Sequence, residues 1–411
     1  MNSNNHSAER LPPASTGNPF LDWLANAGTS FLQLERRVDP LFRPAFDSLF
    51  RESLAGTTTR LINRGRPPED LGLAQERVLP DEAAYLDDII ATMGAQMRQL
   101  SAPGHFERGG NTKTHGIVRG EFVVRDDLPT QLRHGIFANP QTYRAWVRFS
   151  GPGPYVTPDI DDVGFMSISI KLMGVPGQKL LDDEKFTQDM LGVTTPTFVT
   201  PDTKANAQLQ HWSIKNAQAF YFLNFQQPHV LDFIMQALWL KTQSSPLEAS
   251  YFSCVPYLLG DGRAMQYSVQ PRRKTRTPVP GLPGRPPNDY LRDAMIATLA
   301  ERDVEFDVSL QVQTDPHLMP IENNAVLWPQ KLSPRLAAAT LRIPKQTFAS
   351  PEQFAFARVL SYNPWHCLPE HRPLGNQSRA RLRLYRELSQ LRQDQNGVRH
   401  IEPTGDETFP G

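Results

Sequence analysis

Six short segments in which apolar and polar residues alternate constrain the fold of this chain most. They are 116–125 (Ile117, Val118, Phe122, Val123, Val124), 143–149 (Tyr143, Ala145, Val147, Phe149), 164–172 (Phe165, Ile168, Ile170, Leu172), 265–270, 305–313 and 338–342. A period of two sends successive side chains to opposite faces, so each segment reads as a strand with one buried face. A helical stretch, 206–240, separates the third from the fourth. Alternating strands of this length, joined by turns, predict an α+β chain built on an antiparallel β-barrel with inserted helices, although the same periodicity suits a sandwich. Thirty-seven prolines in 411 residues argue for irregular connections rather than a helix bundle.

The flanks read differently. Residues 1–18 are rich in Asn, Ser, Pro and Gly and are expected to be a disordered tail without the apolar stretch of a signal peptide. Apolar residues recur at near-helical spacing from Phe20 to Phe50, interrupted by Pro40 and Pro44. That stretch suits helices packed on the main domain or across a dimer interface; a membrane surface is a lesser alternative, because the face lacks a basic side. Asp81 is placed to N-cap a helix through Leu100. The boundaries are thus a tail (1–18), an N-terminal helical extension (19–100), the main domain (101–395), which ends in a short helical cap over 378–392, and a loose C-terminal tail (396–411).

Composition narrows the partners. Lys+Arg and Asp+Glu number 43 each, so no excess charge draws the chain to nucleic acid or an anionic membrane. Cys254 and Cys367 are the only cysteines, too few for a disulfide framework or a zinc site, and they suit the reducing cytoplasm. No run of eighteen apolar residues is present. The basic, proline-rich stretch 272–288 reads as a solvated loop.

One segment carries chemistry. In Arg358–Val359–Leu360–Ser361–Tyr362–Asn363–Pro364–Trp365–His366, a helix is expected to end before Pro364, with Arg358 and Tyr362 four apart on one face. A fixed guanidinium there favours phenolate over phenol, and phenolate is a hard ligand suited to ferric iron.

The segment resembles the proximal haem-ligand segment of haem catalases: Arg-x-x-Ser-Tyr, His366 four residues later, then Arg372, Leu374 and Gly375. Further matches follow the family's order. They are Arg108–Gly109–Gly110–Asn111–Thr112–Lys113, where catalases read Arg-x-x-His-x-Lys; Arg148–Phe149–Ser150; a degenerate match at Asp162–Val163–Gly164 and Ile170–Lys171; 189–198, against Asp-x-x-Gly-Asn-Asn-Thr-Pro-x-Phe; and Trp328–Pro329. The short chain and the 363–375 sequence are similar to the smaller catalase-related haem proteins, the group of organic-peroxide peroxidases and coral allene oxide synthase, rather than to true catalases.

The resemblance implies a catalase-like fold and haem b, with Tyr362 as iron ligand and Arg358 as its charge partner. It implies Arg108 and Arg148 as propionate partners, with His366 and Arg372 as further candidates. On the distal side it places Asn111 where catalases have a His and Thr194 where they have an Asn. An amide cannot accept and return a proton near neutral pH, so fast hydrogen peroxide disproportionation should be lost. His115, two strand steps further on, is the alternative distal base. The expected function is isomerisation, dehydration or cleavage of a small organic or lipid-like hydroperoxide. A haem oxidase acting on a small metabolite and a non-catalytic haem-binding protein are the rival readings.

Overall fold

Alternation closes into a barrel. In the computed structural model, which describes residues 11–224 and 226–410, the strands are β1 (Thr114–Val124), β2 (Thr142–Ser150), β3 (Ser167–Met173), β4 (Thr187–Val193), β5 (Tyr251–Phe252), β6 (Tyr257–Leu258), β7 (Ala264–Pro271), β8 (Val304–Val312) and β9 (Leu336–Ile343). They pair antiparallel in the order β5-β4-β3-β2-β1-β9-β8-β7-β6. β5 meets β4 through Val193↔Phe252 and β7 through Tyr251↔Val269, so eight strands close on themselves and β6 hangs from β7. One face of each strand feeds a single buried core: Val118 and Phe122, Tyr143, Val147 and Phe149, Ile168 and Ile170, Tyr267, Phe306 and Val308, Leu341. Gly116 makes room for it, since a Cβ there would fall 2.5 Å from Phe348.

β4 was not expected from the sequence. Its Thr187–Gln188–Asp189 start is polar on both faces, which hides the period of two. The strand is nevertheless buried on both sides.

The N-terminal helices depart from expectation in two ways. First, α1 (Pro19–Phe46) runs through Pro40 and Pro44, then rewinds as a π-turn over Asp47–Arg51 before α2 (Glu52–Arg64); shifting the hydrogen-bond ladder just after a proline is how such a helix continues. Second, α1 docks through its charged side. Arg36 bonds the Asp162 carbonyl and Thr242, Asp39 accepts from the Thr242 N–H at 2.8 Å, and Arg43 bonds the Leu238 carbonyl. Phe20, Trp23, Phe31, Leu34, Leu41 and Leu49 remain exposed. α3 (Glu82–Leu100) forms as expected, but Asp81 is no cap: it sits in the left-handed region at φ 59° without a side-chain bond.

Between β4 and β5 the expected long helix is three shorter ones, α4 (Thr203–Ser213), α5 (Ala219–Phe222) and α6 (Val230–Ala237). α7 (Tyr290–Glu301) precedes β8, α8 (Pro351–Val359) precedes the Tyr362 segment, and α9 (Asn376–Asn396) is longer than the expected cap. Both expected tails are tied down where they are described. Residues 1–10 lie outside the described residues, but the Ser15 N–H bonds the Lys215 carbonyl and Ala14 is buried. At the other end Glu407 accepts from Trp146 Nε1 at 2.9 Å, and the Phe409 ring packs on Trp146 and Phe356. Among the described residues no helix is long and apolar enough to cross a membrane.

Candidate functional site

The site is built on the outside of the barrel. β2, β3 and β4 are buried on both faces, and their outward rows run across the sheet as Arg148↔Ser169↔Leu191, Trp146↔Lys171↔Asp189 and Ser150↔Ser167↔Val193. α9, α3 and the segment after α8 cover this face and leave a cavity of about 360 Å³, lined among others by Arg108, Asn111, Arg148, Val193, Tyr362 and Arg392.

Tyr362 comes to the cavity by a different route from the one its spacing suggested. α8 stops at Val359, and Leu360 (φ −55°, ψ 141°) turns the chain into an extended path. Arg358 therefore does not share a helical face with Tyr362; it is half exposed and pairs with Glu107 at 3.5 Å. The Tyr362 hydroxyl is buried without a hydrogen-bond partner. Burial raises its pKa, and the cations that oppose burial are Lys171 and Arg148, then Arg108. Lys171 Nζ lies 5.5 Å from the ring centroid.

Three arginines frame this end of the cavity. Arg148 is held by Thr114 Oγ1 and the carbonyls of Asn111 and Thr112, Arg108 by the carbonyls of Ala357 (2.8 Å) and Leu360 (2.5 Å), and Arg392 by Ser361 Oγ at 3.1 Å. Burial, with repulsion from Arg108, pushes the pKa values of Arg148 and Arg392 well down, and burial lowers that of Arg108. A guanidinium does not surrender its proton in a protein, so the strain is better read as demand for an anion. Among the described residues none of the three has a carboxylate within ion-pairing distance, and the nearby Glu107 is engaged by Arg358.

Beneath the phenol lies a second layer of charge. Lys171, fully buried, bonds Glu184 and sits 2.8 Å from Asp189, both fully buried. Asp189 also accepts from the Asn363 N–H and meets His366 Nδ1 at 3.0 Å, while His366 Nε2 meets Asp183 at 3.0 Å. Burial would depress the His366 pKa, but Asp183 and Asp189 outweigh it and carry it up to about 9. His366 is thus committed to this network, not to the cavity. Glu184, Asp189 and His366 have the spacing of a metal-ligand set, but the Lys171 ammonium already bonds both carboxylates. Arg372 is also remote, paired with Glu76 at 2.7 Å.

The expected distal pair divides. Asn111, at φ 53°, lines the cavity and its Oδ1 accepts from Ser167 Oγ at 2.6 Å, which leaves the amide N–H groups for a guest. Thr194 does not line the cavity; its Oγ1 accepts from the Met166 N–H at 3.0 Å, and its neighbours Val193 and Thr195 take the lining positions. His115 is also absent from the lining. It lies buried with both ring nitrogens unpartnered, 3.7 Å from Asp159, its pKa driven well down by burial and by Lys113. The strand-parity argument for His115 fails because Asn111 precedes β1 and its positive φ breaks the alternation.

Sequence reasoning missed Arg392, Arg381 and Cys254, which also line the cavity. The signal was available for the arginines: Arg381, Leu384, Tyr385, Leu388 and Arg392 fall on one face of α9 by spacing. Reading 378–392 only as a short helical cap left that face unexamined.

No family model and no curated protein matches the chain. Solved structures do. It is similar to a fungal catalase (TM-score 0.56, 17% identity, over 80% of this chain and 66% of that one). It is similar also to a bacterial catalase (0.52, 16%, 82% and 67%) and to catalase A of Saccharomyces cerevisiae (0.56, 15%, 84% and 73%). The fold is catalase-like, and the chain spans about two thirds of the length of the fungal and bacterial catalases it matches.

Proposed function

We propose that the cavity binds haem b, whose iron Tyr362 Oη would hold, and that the chain transforms an organic, fatty-acid-like hydroperoxide by isomerisation, dehydration or cleavage, with poor catalase activity. The observation that carries this reading is an unpartnered buried phenol oxygen beside three arginines that lack carboxylates. The residues present fit the group: Arg108, Arg148 and Arg392 would hold its two propionates by charge-assisted bonds. Lys171, Arg148 and Arg108 favour the phenolate that a ferric centre requires. Bound there, haem supplies the iron whose redox chemistry breaks a peroxide O–O bond.

The remaining work falls to the other polar groups of the lining. Asn111 can orient a peroxide oxygen by donating a hydrogen bond, but it cannot carry a proton from one peroxide oxygen to the other. No imidazole lines the cavity among the described residues. Phe165, Val193, Phe198 and Leu384 on the lining suit an alkyl body better than a small polar metabolite.

The test is a comparison of oxygen release from hydrogen peroxide with consumption of a fatty-acid hydroperoxide by the haem-loaded protein. Slow oxygen release and faster loss of the organic peroxide are expected, with Asn111→His gaining catalase activity. Vigorous oxygen release by the unaltered protein would reject the assignment.

A further inference from the structure

Resting on the cavity reading above, we propose that Arg381 is the receptor for a carboxylate at the remote end of the substrate, so that the chain takes amphipathic carboxylic acids, head toward α6 and reacting carbon toward Asn111. Arg381 and Arg392 lie on one helix eleven positions apart, about 16 Å along its axis at 1.5 Å per residue. Arg392 belongs to the Tyr362 end through Ser361. Arg381 stands apart from the three arginines there. Its guanidinium hydrogen-bonds Cys254, has Tyr257 and Tyr385 beside it, and lies over the Phe198 ring at 5.2 Å. Among the described residues it has no carboxylate within ion-pairing distance, although it lines the cavity.

A second group at the same end is also unsatisfied. Gln236, on α6 and 2% exposed, donates through Nε2 to the Thr197 carbonyl and hydroxyl and to the Phe198 carbonyl. Carbonyl oxygens can only accept, which fixes the orientation of its amide. Its Oε1 is left as a buried acceptor with no donor. Gln236 and Arg381 both meet Phe198, one at its carbonyl and the other at its ring. A half-buried guanidinium that faces the cavity with no carboxylate partner can still take an anion, and a buried acceptor without a donor is costly unless a ligand completes it. A carboxylate answers the first, and the ligand's own O–H or a water bound to the carboxylate answers the second. Leu384 and Leu388, which fall between Arg381 and Arg392 on α9, line the cavity, which fits an alkyl body.

The probe is laurate against 1-dodecanol, of equal chain length, titrated calorimetrically into the haem-loaded chain. Laurate is expected to bind about ten-fold tighter or better, the effect of one charge-assisted hydrogen-bond pair. Arg381→Met should abolish that preference and Arg381→Lys should keep part of it, with melting curves reporting that each variant folds. The wild-type comparison needs no variant. Equal affinities, no binding of either probe, or an Arg381→Met protein that still prefers laurate would each overturn the proposal. If the chain takes up no haem, the titration is run on it as purified: a laurate preference then keeps the Arg381 site while the haem reading falls. Haem uptake with no laurate preference does the reverse.

Discussion

Replacing Lys171 by Met should be the most damaging single change beneath the site. The side chains are similar in length, so packing is largely kept and the loss is electrostatic. Lys171, Glu184 and Asp189 are all fully buried. Burial alone would raise the Glu184 pKa, but Lys171, with help from His400 and His366, holds it below its ordinary 4.5. A carboxyl with a depressed pKa contributes stability that is present above its unfolded pKa and lost as pH falls. Without Lys171 that contribution disappears, and removing one partner of a buried ion pair costs about 3–5 kcal/mol, a large part of the roughly 5–15 kcal/mol that holds a domain together. In the variant, burial is opposed mainly by His400 and His366, so the Glu184 carboxyl takes up a proton on folding. The deficit should therefore be widest at neutral pH and narrow as pH falls toward 5. Urea denaturation at the two pH values measures it. Lys171→Met/Glu184→Gln should recover at least about 1 kcal/mol over the single variant through their coupling. A loss under about 1 kcal/mol that does not change with pH would show that the cluster behaves like a solvated surface pair, and the argument would be refuted.

His366 gives a second window, of opposite sign. Its folded pKa of about 9 lies above the ordinary 6.5, so its contribution is full below pH 6.5 and is lost as pH rises toward 9, roughly 3 kcal/mol at ~1.4 per unit. His366→Gln should flatten the alkaline limb of the melting profile, and an unchanged limb would contradict the assignment. At the N-terminal helix, Gly164 has φ +87° and a Cβ there would fall 2.5 Å from Arg36 Nη1. Gly164→Ala should cost about 1–3 kcal/mol and speed proteolysis within 19–46; an unchanged cleavage rate would count against Arg36 as the anchor.

The barrel was legible because six of its strands keep one apolar face. β4 was not, because its outward face carries Asp189 and its inward face includes Gln188, buried polar groups that only tertiary partners make tolerable. The same blindness affected the site. Arg108, Asn111, Arg148 and Tyr362 all line the cavity. Arg358 does not, because a helix end one turn earlier than expected redirects it. Its place beside the phenol goes to Lys171, which lies far away in sequence and is brought there by the β2–β3–β4 register. No periodicity within the 358–366 segment could reveal that. His366, read as a cavity residue, serves the charge layer below, and α1 reversed its expected polarity because its buried partners are carbonyls and Thr242 rather than an apolar surface.

The central claim is one iron–oxygen bond at Tyr362, and the absorption spectrum of the protein reconstituted with haem tests it most directly. A high-spin ferric phenolate spectrum that is lost in Tyr362→Phe, while that variant keeps its melting temperature, is the predicted result. A protein that takes up no haem, or a spectrum unchanged by Tyr362→Phe, would contradict it.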